Sequence, residues 1–179
     1  MWAQAFSLVT PRIQVEFGIP ESQYGDIFSV FHAGLTVGAA VWGVLVDVVG
    51  RRVAFNCTVA ITSVFGLLIG ALDSWSAILA VAFFVGFGLG GNIPIDATIV
   101  MEFIPKKQRW LLAALSVFQP LGVITTALIA WGLVPRNTCA FTSPASSCRL
   151  VAPGEPCCTK ASNYGWRYAV FTIGAISLA

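Results

Sequence analysis

The sequence predicts an all-α membrane protein, because it is too apolar for a soluble domain and its few charges are widely spaced. Of its 179 residues, 57% are hydrophobic and only 10% are charged, whereas soluble domains carry about 25% charged residues. The charges divide the chain into apolar runs of about 20 residues or more, the length that a helix needs to cross roughly 30 Å of hydrocarbon. These runs must be helical, because lipid offers no partner for an unpaired backbone amide.

Charged residues mark the boundaries of the predicted spans. We expect four complete spans, at 26–46, 53–72, 76–101 and 110–134. Two shorter apolar stretches, 1–11 and 166–179, flank them. Pro11 and Arg12 end the first of these stretches. Each stretch is about half as long as a crossing requires, so we expect a piece of a longer membrane protein.

The connecting segments predict an orientation. Lys and Arg are dense in the short connections 47–52 and 102–109, and the connection after residue 72 has neither. Positive charge is concentrated in cytoplasmic loops. We therefore expect these two basic connections to face the cytoplasm.

A long Cys- and Pro-rich loop is expected at 135–165. It contains four of the five cysteines, which are Cys139, Cys148, Cys157 and Cys158. Four cysteines allow three pairings, and the sequence does not choose among them. Disulfides persist in oxidising compartments, so the loop is predicted to be non-cytoplasmic. The alternatives are four free thiols in a cytoplasmic loop and, with less support because paired C-x-x-C units are absent, a zinc site.

The turn between the first two complete spans has an ordered pattern of small and charged residues. Gly43 would let a neighbouring helix approach closely. Asp47 stands at a helix end beside a cationic turn, and Gly50 supplies a conformation that residues with a Cβ avoid. Arg51 and Arg52 would anchor at lipid headgroups. The alternative is an ordinary basic turn.

This turn resembles the signature loop of the major facilitator superfamily, Gly-x-Leu-Ala-Asp-Arg-x-Gly-Arg-Arg/Lys. The matching residues are Gly43, Leu45, Asp47, Gly50, Arg51 and Arg52. Val46 and Val48 depart from the pattern, and Val48 stands where the family often has Arg.

Three further stretches are similar to the same family. Residues 86–96 with 102–109 resemble the fourth helix and its exit in the sugar-porter and synaptic-vesicle-glycoprotein-like branches, and 10–14 and 165–168 resemble the end of helix 1 and the entry to helix 6. The resemblance implies a partial six-helix N-terminal bundle of a major-facilitator-type transporter, from the end of helix 1 to the start of helix 6. It also implies a missing C-terminal bundle.

Glycines within the predicted spans indicate close helix packing. The run from Gly86 to Gly91 fits the dinucleotide-binding pattern G-x-G-x-x-G, but that motif requires a soluble βαβ unit. Small residues that let two helices approach are the better interpretation, and Gly34 and Gly38 are interpreted in the same way.

Asp96 is the predicted centre of a substrate or proton path. An acidic side chain in a span is costly and should face the protein interior or a watery cavity. Pro94 frees carbonyls nearby, and Asn92, one turn before Asp96, should share its face. The alternative is a structural ion pair or hydrogen bond to a neighbouring helix.

The resemblance also implies a cytoplasmic gate. In the sugar-porter branch an acid at the end of helix 4 pairs with the signature-loop arginines. Carried over to this sequence, Glu102 would pair with Arg51 or Arg52, and Arg109 would be a companion cation.

The function predicted from these features is secondary active transport of a small solute by alternating access, coupled to protons. The protein would be multi-pass in the plasma membrane or an endomembrane, with solute, protons and the bilayer as its partners. We expect no enzymatic activity, no cofactor, no metal site and no nucleic-acid partner. The alternative is a four-span membrane scaffold whose disulfide-rich extracellular loop binds partner proteins.

Overall fold

Six α-helices form the part of the chain that the structure describes. The computed structural model describes residues 1–103, 111–139, 147–152 and 155–178, with the backbone alone at 97, 99–100, 102–103 and 111–115. The helices are α1 (Trp2–Phe17), α2 (Asp26–Val49), α3 (Arg51–Ala71), α4 (Trp75–Phe103), α5 (Leu111–Leu133) and α6 (Gly165–Leu178). Short 3-10 turns cover Glu21–Gln23 and Pro135–Asn137.

The all-α membrane class is confirmed. The described residues contain no strand, only an isolated bridge between Ser147 and Cys158. Four helical segments are long and apolar enough to cross a membrane, and these are Glu21–Val49, Arg51–Ala71, Trp75–Asp96 and Ser116–Asn137. In the most apolar part of each segment less than half is buried, as expected where lipid is the solvent.

The helices alternate in direction and define two ends of the bundle. We call one the Gly50 end, where α2 passes into α3 at Gly50. The other, the loop end, contains the end of α1, the turn between α3 and α4, and the start of α6. The disulfide-bonded segment before α6 also lies at the loop end, as its contacts below show.

Glycines set the closest helix approach, which is between α2 and α4. A Cβ added at Gly34 or Gly38 would overlap the carbonyl oxygen of Phe83 or Phe87 on α4. In return, a Cβ at Gly86 or Gly90 would overlap a backbone carbonyl on α2. The packing interpretation of both glycine runs is therefore confirmed.

The first helix is longer than the charges suggested. We expected an apolar stretch 1–11 ended by Pro11 and Arg12, but α1 continues to Phe17 and ends at Gly18, whose φ is 66°. Proline removes one helical hydrogen bond but need not end a helix whose sides are packed. The turn after Pro11 is packed, since Ile13 is fully buried and Glu16 is buried with it.

Candidate functional site

The turn at Gly50 is built as the sequence predicts. Gly50 has φ 91° and ψ 144°, a backbone conformation that residues with a Cβ rarely adopt. Its amide donates to the carbonyl of Val46 at 3.1 Å, and its carbonyl accepts from Ala54 at 3.0 Å. One residue therefore closes α2 and opens α3, which fixes the angle between the two helices.

The predicted gate residues lie around this turn, and the structure describes some of them. Asp47 is exposed on the last turns of α2, and Arg52 is exposed on the first turn of α3. Arg51 is half-buried beside them. The side chain of Glu102 and the whole of Arg109 lie outside the described residues, so the pairing of Glu102 with the arginines stays a prediction.

Gly43 has open space beside it. No described atom lies within 4 Å of a Cβ built at Gly43. The neighbouring helix that we expected there is therefore not among the described residues. The role of Gly43 in a close helix approach stays a prediction.

A chain of hydrogen bonds joins Asp96 to α3. The Asn92 amide donates from Nδ2 to Oδ2 of Asp96 at 3.2 Å, as their i, i+4 spacing predicts. The Thr58 hydroxyl on α3 lies 3.3 Å from Oδ1 of Asn92 and 2.8 Å from the carbonyl of Phe55. Thr58 was not expected, and it makes the polar site a three-residue relay, Thr58–Asn92–Asp96.

The relay lies towards the Gly50 end of the bundle. Thr58 is seven residues after Arg51, about 10 Å along the helix. Ile95, next to Asp96, packs with Ala54 on the second turn of α3. Pro94 is exposed and Asp96 is half-buried, so the relay is supported by α3 on one side and open on the other.

A second polar cluster occupies the loop end, and its centre is a buried ion pair. The Arg167 side chain is fully buried, and its Nη1 lies 2.7 Å and 2.9 Å from the two carboxylate oxygens of Glu16. Trp166 donates from Nε1 to Glu16 at 2.8 Å, and Asn163 donates from Nδ2 at 3.3 Å. Glu16 therefore has three donors, the arrangement that a buried carboxylate requires.

Asp73 extends the cluster to the turn between α3 and α4. Arg167 Nη2 lies 3.0 Å from Asp73 Oδ1, and Lys160 Nζ lies 2.6 Å from the same carboxylate. The hydrogen bond from Lys160 lowers the pKa of Asp73, and the charges of Lys160 and Arg167 add to this effect while partial burial opposes it. The carboxylate thus connects α6, the turn and the Cys-rich segment.

Acidification should loosen this connection. Because the folded pKa of Asp73 is below its ordinary value, its stabilising contribution is complete above the ordinary value, near 3.9 for aspartate, and is lost as the pH falls through the folded value. We expect the protection of the amides of residues 159–163 against hydrogen exchange, relative to the unfolded chain at the same pH, to fall on acidification below about pH 4. In Asp73→Asn the exchange should already be fast at neutral pH, while Glu155→Gln, an exposed acid of the same segment, should behave as wild type. Equal exchange in Asp73→Asn and wild type at neutral pH would contradict the assignment.

Two disulfides hold the Cys-rich segment together, and hydrogen bonds attach it to the loop end. Of the three possible pairings, the structure has Cys139 with Cys158 and Cys148 with Cys157. Cys158 is buried against Val15 of α1.

The attachment continues along the last turn of α1. The Ser147 hydroxyl donates to the carbonyl of Glu16 at 2.8 Å. The Arg149 guanidinium lies over the Phe17 ring at 4.8 Å and donates to the carbonyl of Asp73. The segment is therefore a packed cap on α1.

Comparison with known protein families identifies the family to which this chain belongs. The sequence profile of the Major Facilitator Superfamily matches residues 1–147. The chain belongs to this superfamily. The resemblance inferred from the Gly50 turn and the α4 glycines is thereby confirmed.

Relatives within the superfamily cover nearly the whole chain. MFS siderochrome iron transporter 1 of Ceriporiopsis subvermispora is 33% identical over 180 residues, 99% of this chain and 31% of its own length. Major facilitator-type transporter hxnZ of Emericella nidulans is 34% identical over 178 residues, 99% of this chain and 30% of its own length. Synaptic vesicle glycoprotein 2A of Rattus norvegicus is 28% identical over 134 residues, 74% of this chain and 18% of its own length. The chain thus spans about a third of the length of the first two.

In this Major Facilitator Superfamily chain, sequence reasoning missed Glu16, Arg167 and Thr58, which act through distant partners. Glu16 and Arg167 are 151 positions apart, and Thr58 and Asn92 are 34 apart. A sequence signal was present for the first pair. A charge two turns or less from an apolar stretch, as at Glu16 and Arg167, requires a counter-charge if the helix continues.

Proposed function

We propose that the protein carries a small solute across a membrane by alternating access and couples the movement to protons. Membership of the Major Facilitator Superfamily supports transport in general. The observation that carries the finer proposal is the Thr58–Asn92–Asp96 relay. It places an ionisable group within an apolar bundle and leaves one side of that group open.

The direction of the hydrogen bonds suits a proton-binding carboxylate. The single proton of the Thr58 hydroxyl is shared between the Phe55 carbonyl at 2.8 Å and the Asn92 carbonyl oxygen at 3.3 Å, and the Asn92 amide donates to Asp96. A charged Asp96 is therefore supplied with a donor, as a carboxylate in low dielectric requires. On protonation one oxygen of the carboxyl group can still accept from Asn92, while the other carries a new O–H donor that requires an acceptor of its own. A solute or water on the open side is the acceptor in our proposal.

The Gly50 end is the proposed cytoplasmic gate. Asp47, Arg51 and Arg52 lie around a turn whose geometry Gly50 fixes. Glu102 is in the last turn of α4, and the spans' alternating directions bring that turn to the same end. In the proposal these charges and Arg109 associate when the gate is closed and separate when it opens. Gly43, open in this chain, would contact the second bundle.

The loop end is the proposed outer side, and a second bundle would complete the carrier. Two disulfides favour an oxidising compartment for residues 135–165. The first two relatives are about three times as long as the matched part, which is room for a C-terminal bundle. An exposed apolar stripe on α2, Val37, Val41, Val44 and Val48, supplies a surface for that bundle or for lipid.

The scaffold alternative has less support. Its premise is a Cys-rich loop that is free to bind other proteins. In the described part of the loop, Ser147, Cys158 and Asn163 are buried against the chain's own helices. The described part of the loop therefore packs against the ends of α1 and α6. The match to the Major Facilitator Superfamily also favours a carrier over a scaffold.

Asp96→Asn tests the proton role. The intact protein would be reconstituted in proteoliposomes, and uptake driven by a proton gradient would be measured over sugars, organic acids and organic cations. For whichever solute is carried, we expect the gradient-driven initial rate to fall about tenfold or more, the change that roughly 1.4 kcal/mol of lost interaction produces. Solute exchange without a gradient should persist, because the amide can still accept from Asn92.

Two controls make the test specific. Asp26→Asn removes an exposed acid at the start of α2 and should leave the rate unchanged. Thr58→Val removes the far end of the relay and should give a smaller defect than Asp96→Asn. Unchanged gradient dependence in Asp96→Asn would refute its proton role, and absence of any uptake by the wild type would refute transport.

A further inference from the structure

A crevice between α1 and α5 opens at the loop end, next to the Glu16–Arg167 cluster, whose Asn163 donates to the carbonyl of Arg12 at 2.8 Å. Its volume is about 410 Å³, within the roughly 300–1,000 Å³ typical of small-molecule sites. On α1 it is lined by Leu8, Arg12 and Val15, at i, i+4 and i+7 spacing, so one continuous face of the helix points into it. The opposite face of α1, with Phe6, is buried in the core.

The α5 wall is apolar and partly hollow. Ala127, Ala130 and Trp131 line it at i, i+3 and i+4 spacing. The two alanines leave the space that a larger side chain would fill, and Trp131 is 79% exposed beside them. The wall therefore offers a large aromatic surface next to a small recess, with no donor or acceptor but the indole N–H.

Arg12 is the charged residue of this crevice, and its charge is not balanced within the described residues. The nearest acid along α1 is Glu16, one turn later, but Arg167 and two further donors occupy its carboxylate. No described carboxylate lies within ion-pair distance of the Arg12 guanidinium. Arg12 is half-buried less than two turns before the loop end of α1, so an anion bound in the crevice would balance its charge.

We propose that this crevice binds an amphipathic carboxylate solute, with Arg12 holding the carboxylate. The inference rests on the proposed transport function, for which it names the solute class. The planar guanidinium presents a pair of donors that matches a carboxylate, and Trp131 and the alanine recess accept an aliphatic or aromatic body. A single cation matches a single negative charge. A dianionic phosphate would require a second cation, and none lines the described walls.

Binding of benzoate and of its neutral analogue benzamide to the intact, detergent-purified protein tests the proposal. We expect benzoate to quench tryptophan fluorescence saturably and to raise the melting temperature, and benzamide to do neither at the same concentration. Arg12→Gln should weaken benzoate binding about tenfold or more. Arg12→Lys should retain part of it, because charge is kept but the planar fork is lost.

Two further variants separate charge from shape and from general surface effects. Ala127→Leu fills the recess without changing charge and should also weaken benzoate binding. Arg136→Gln removes an exposed cation just beyond α5 and should bind as wild type. Equal binding of benzoate and benzamide, or wild-type binding by Arg12→Gln, would overturn the proposal. So would displacement of benzoate by phosphatidylglycerol, because the crevice would then be a lipid site.

Uptake by proteoliposomes separates this inference from the transport proposal. If the protein takes up cationic or neutral solutes, and benzoate neither inhibits this uptake nor is itself taken up, the carboxylate class is refuted and the transport proposal stands. Saturable benzoate binding without uptake of any solute would leave the crevice assignment standing and refute transport.

Discussion

Replacing Arg167 with methionine is expected to lower the free energy of unfolding of the intact protein by about 3–5 kcal/mol, the usual cost of removing one partner of a buried ion pair. Arg167 is fully buried and donates to Glu16 and Asp73. Methionine fills much of the same volume, so the loss would come from charge and not from a cavity. The Glu16 carboxylate would remain buried with only the neutral donors of Trp166 and Asn163. Detergent-induced unfolding followed by circular dichroism measures the change.

A double variant distinguishes the ion pair from packing. In Glu16→Met with Arg167→Met no buried charge is left, so part of the lost stability should return, and the coupling between the two sites should be positive. Arg136→Met, at an exposed arginine of the same end, should change stability by less than about 0.5 kcal/mol. A small effect of Arg167→Met alone, similar to that of Arg136→Met, would show that water reaches the pair and that it contributes as little as a surface ion pair.

The helices of this chain could be predicted because their signal is local. An apolar run bounded by charges is evident in a window of twenty residues, and only a helix satisfies its backbone in lipid. The glycines were equally informative. Gly34 and Gly38 recur at the spacing of one helix face, and their contacts with α4 follow from having no side chain. The same local reasoning placed Asn92 and Asp96 on one helix face, where they are hydrogen-bonded, and predicted the unusual φ of Gly50.

The loop-end cluster could not be predicted because its partners are remote in sequence. A charge near an apolar stretch has two meanings. The helix ends there if water solvates the charge. The helix continues past it if a buried counter-charge pairs with it. At Arg12 we took the first meaning, and α1 in fact continues to Phe17. The deciding residue, Arg167, lies 151 positions from Glu16, and no local pattern connects the two.

The disulfide pairing shows the same limit in a different way. Spacing leaves three pairings for four cysteines, and the choice depends on packing. Cys158 lies against Val15 of α1, and Cys139, its partner, immediately follows the 3-10 turn at the end of α5. The bond therefore ties α1, α5 and the cap together, an arrangement that depends on the placement of three helices.

Replacing Gly38 with alanine is expected to lower the free energy of unfolding by about 1–3 kcal/mol, the usual cost of overpacking. The new Cβ would overlap the carbonyl oxygen of Phe87 and lie 2.8 Å from its carbonyl carbon. A backbone atom cannot rotate away as a side chain can, so α2 and α4 must separate along the length of their contact. The displacement of α4 should also weaken the hydrogen bond between Asn92 and Thr58, which joins α4 to α3. The unfolding midpoint of the intact protein in detergent measures the effect.

For Gly132→Ala and Gly43→Ala the structure predicts a change in the free energy of unfolding of the opposite sign to that for Gly38→Ala. Both glycines are helical and have no described atom within 4 Å of an added Cβ. Alanine should therefore stabilise each helix by up to about 1 kcal/mol, while the same change at Gly38 destabilises. If Gly43 contacts a second bundle as proposed, Gly43→Ala should lose this gain in stability and slow uptake, whereas Gly132→Ala should keep the gain and leave uptake unchanged. A gain in stability at Gly38 would mean that α2 and α4 are further apart than described, and the backbone contact that holds the relay in place would be lost with it.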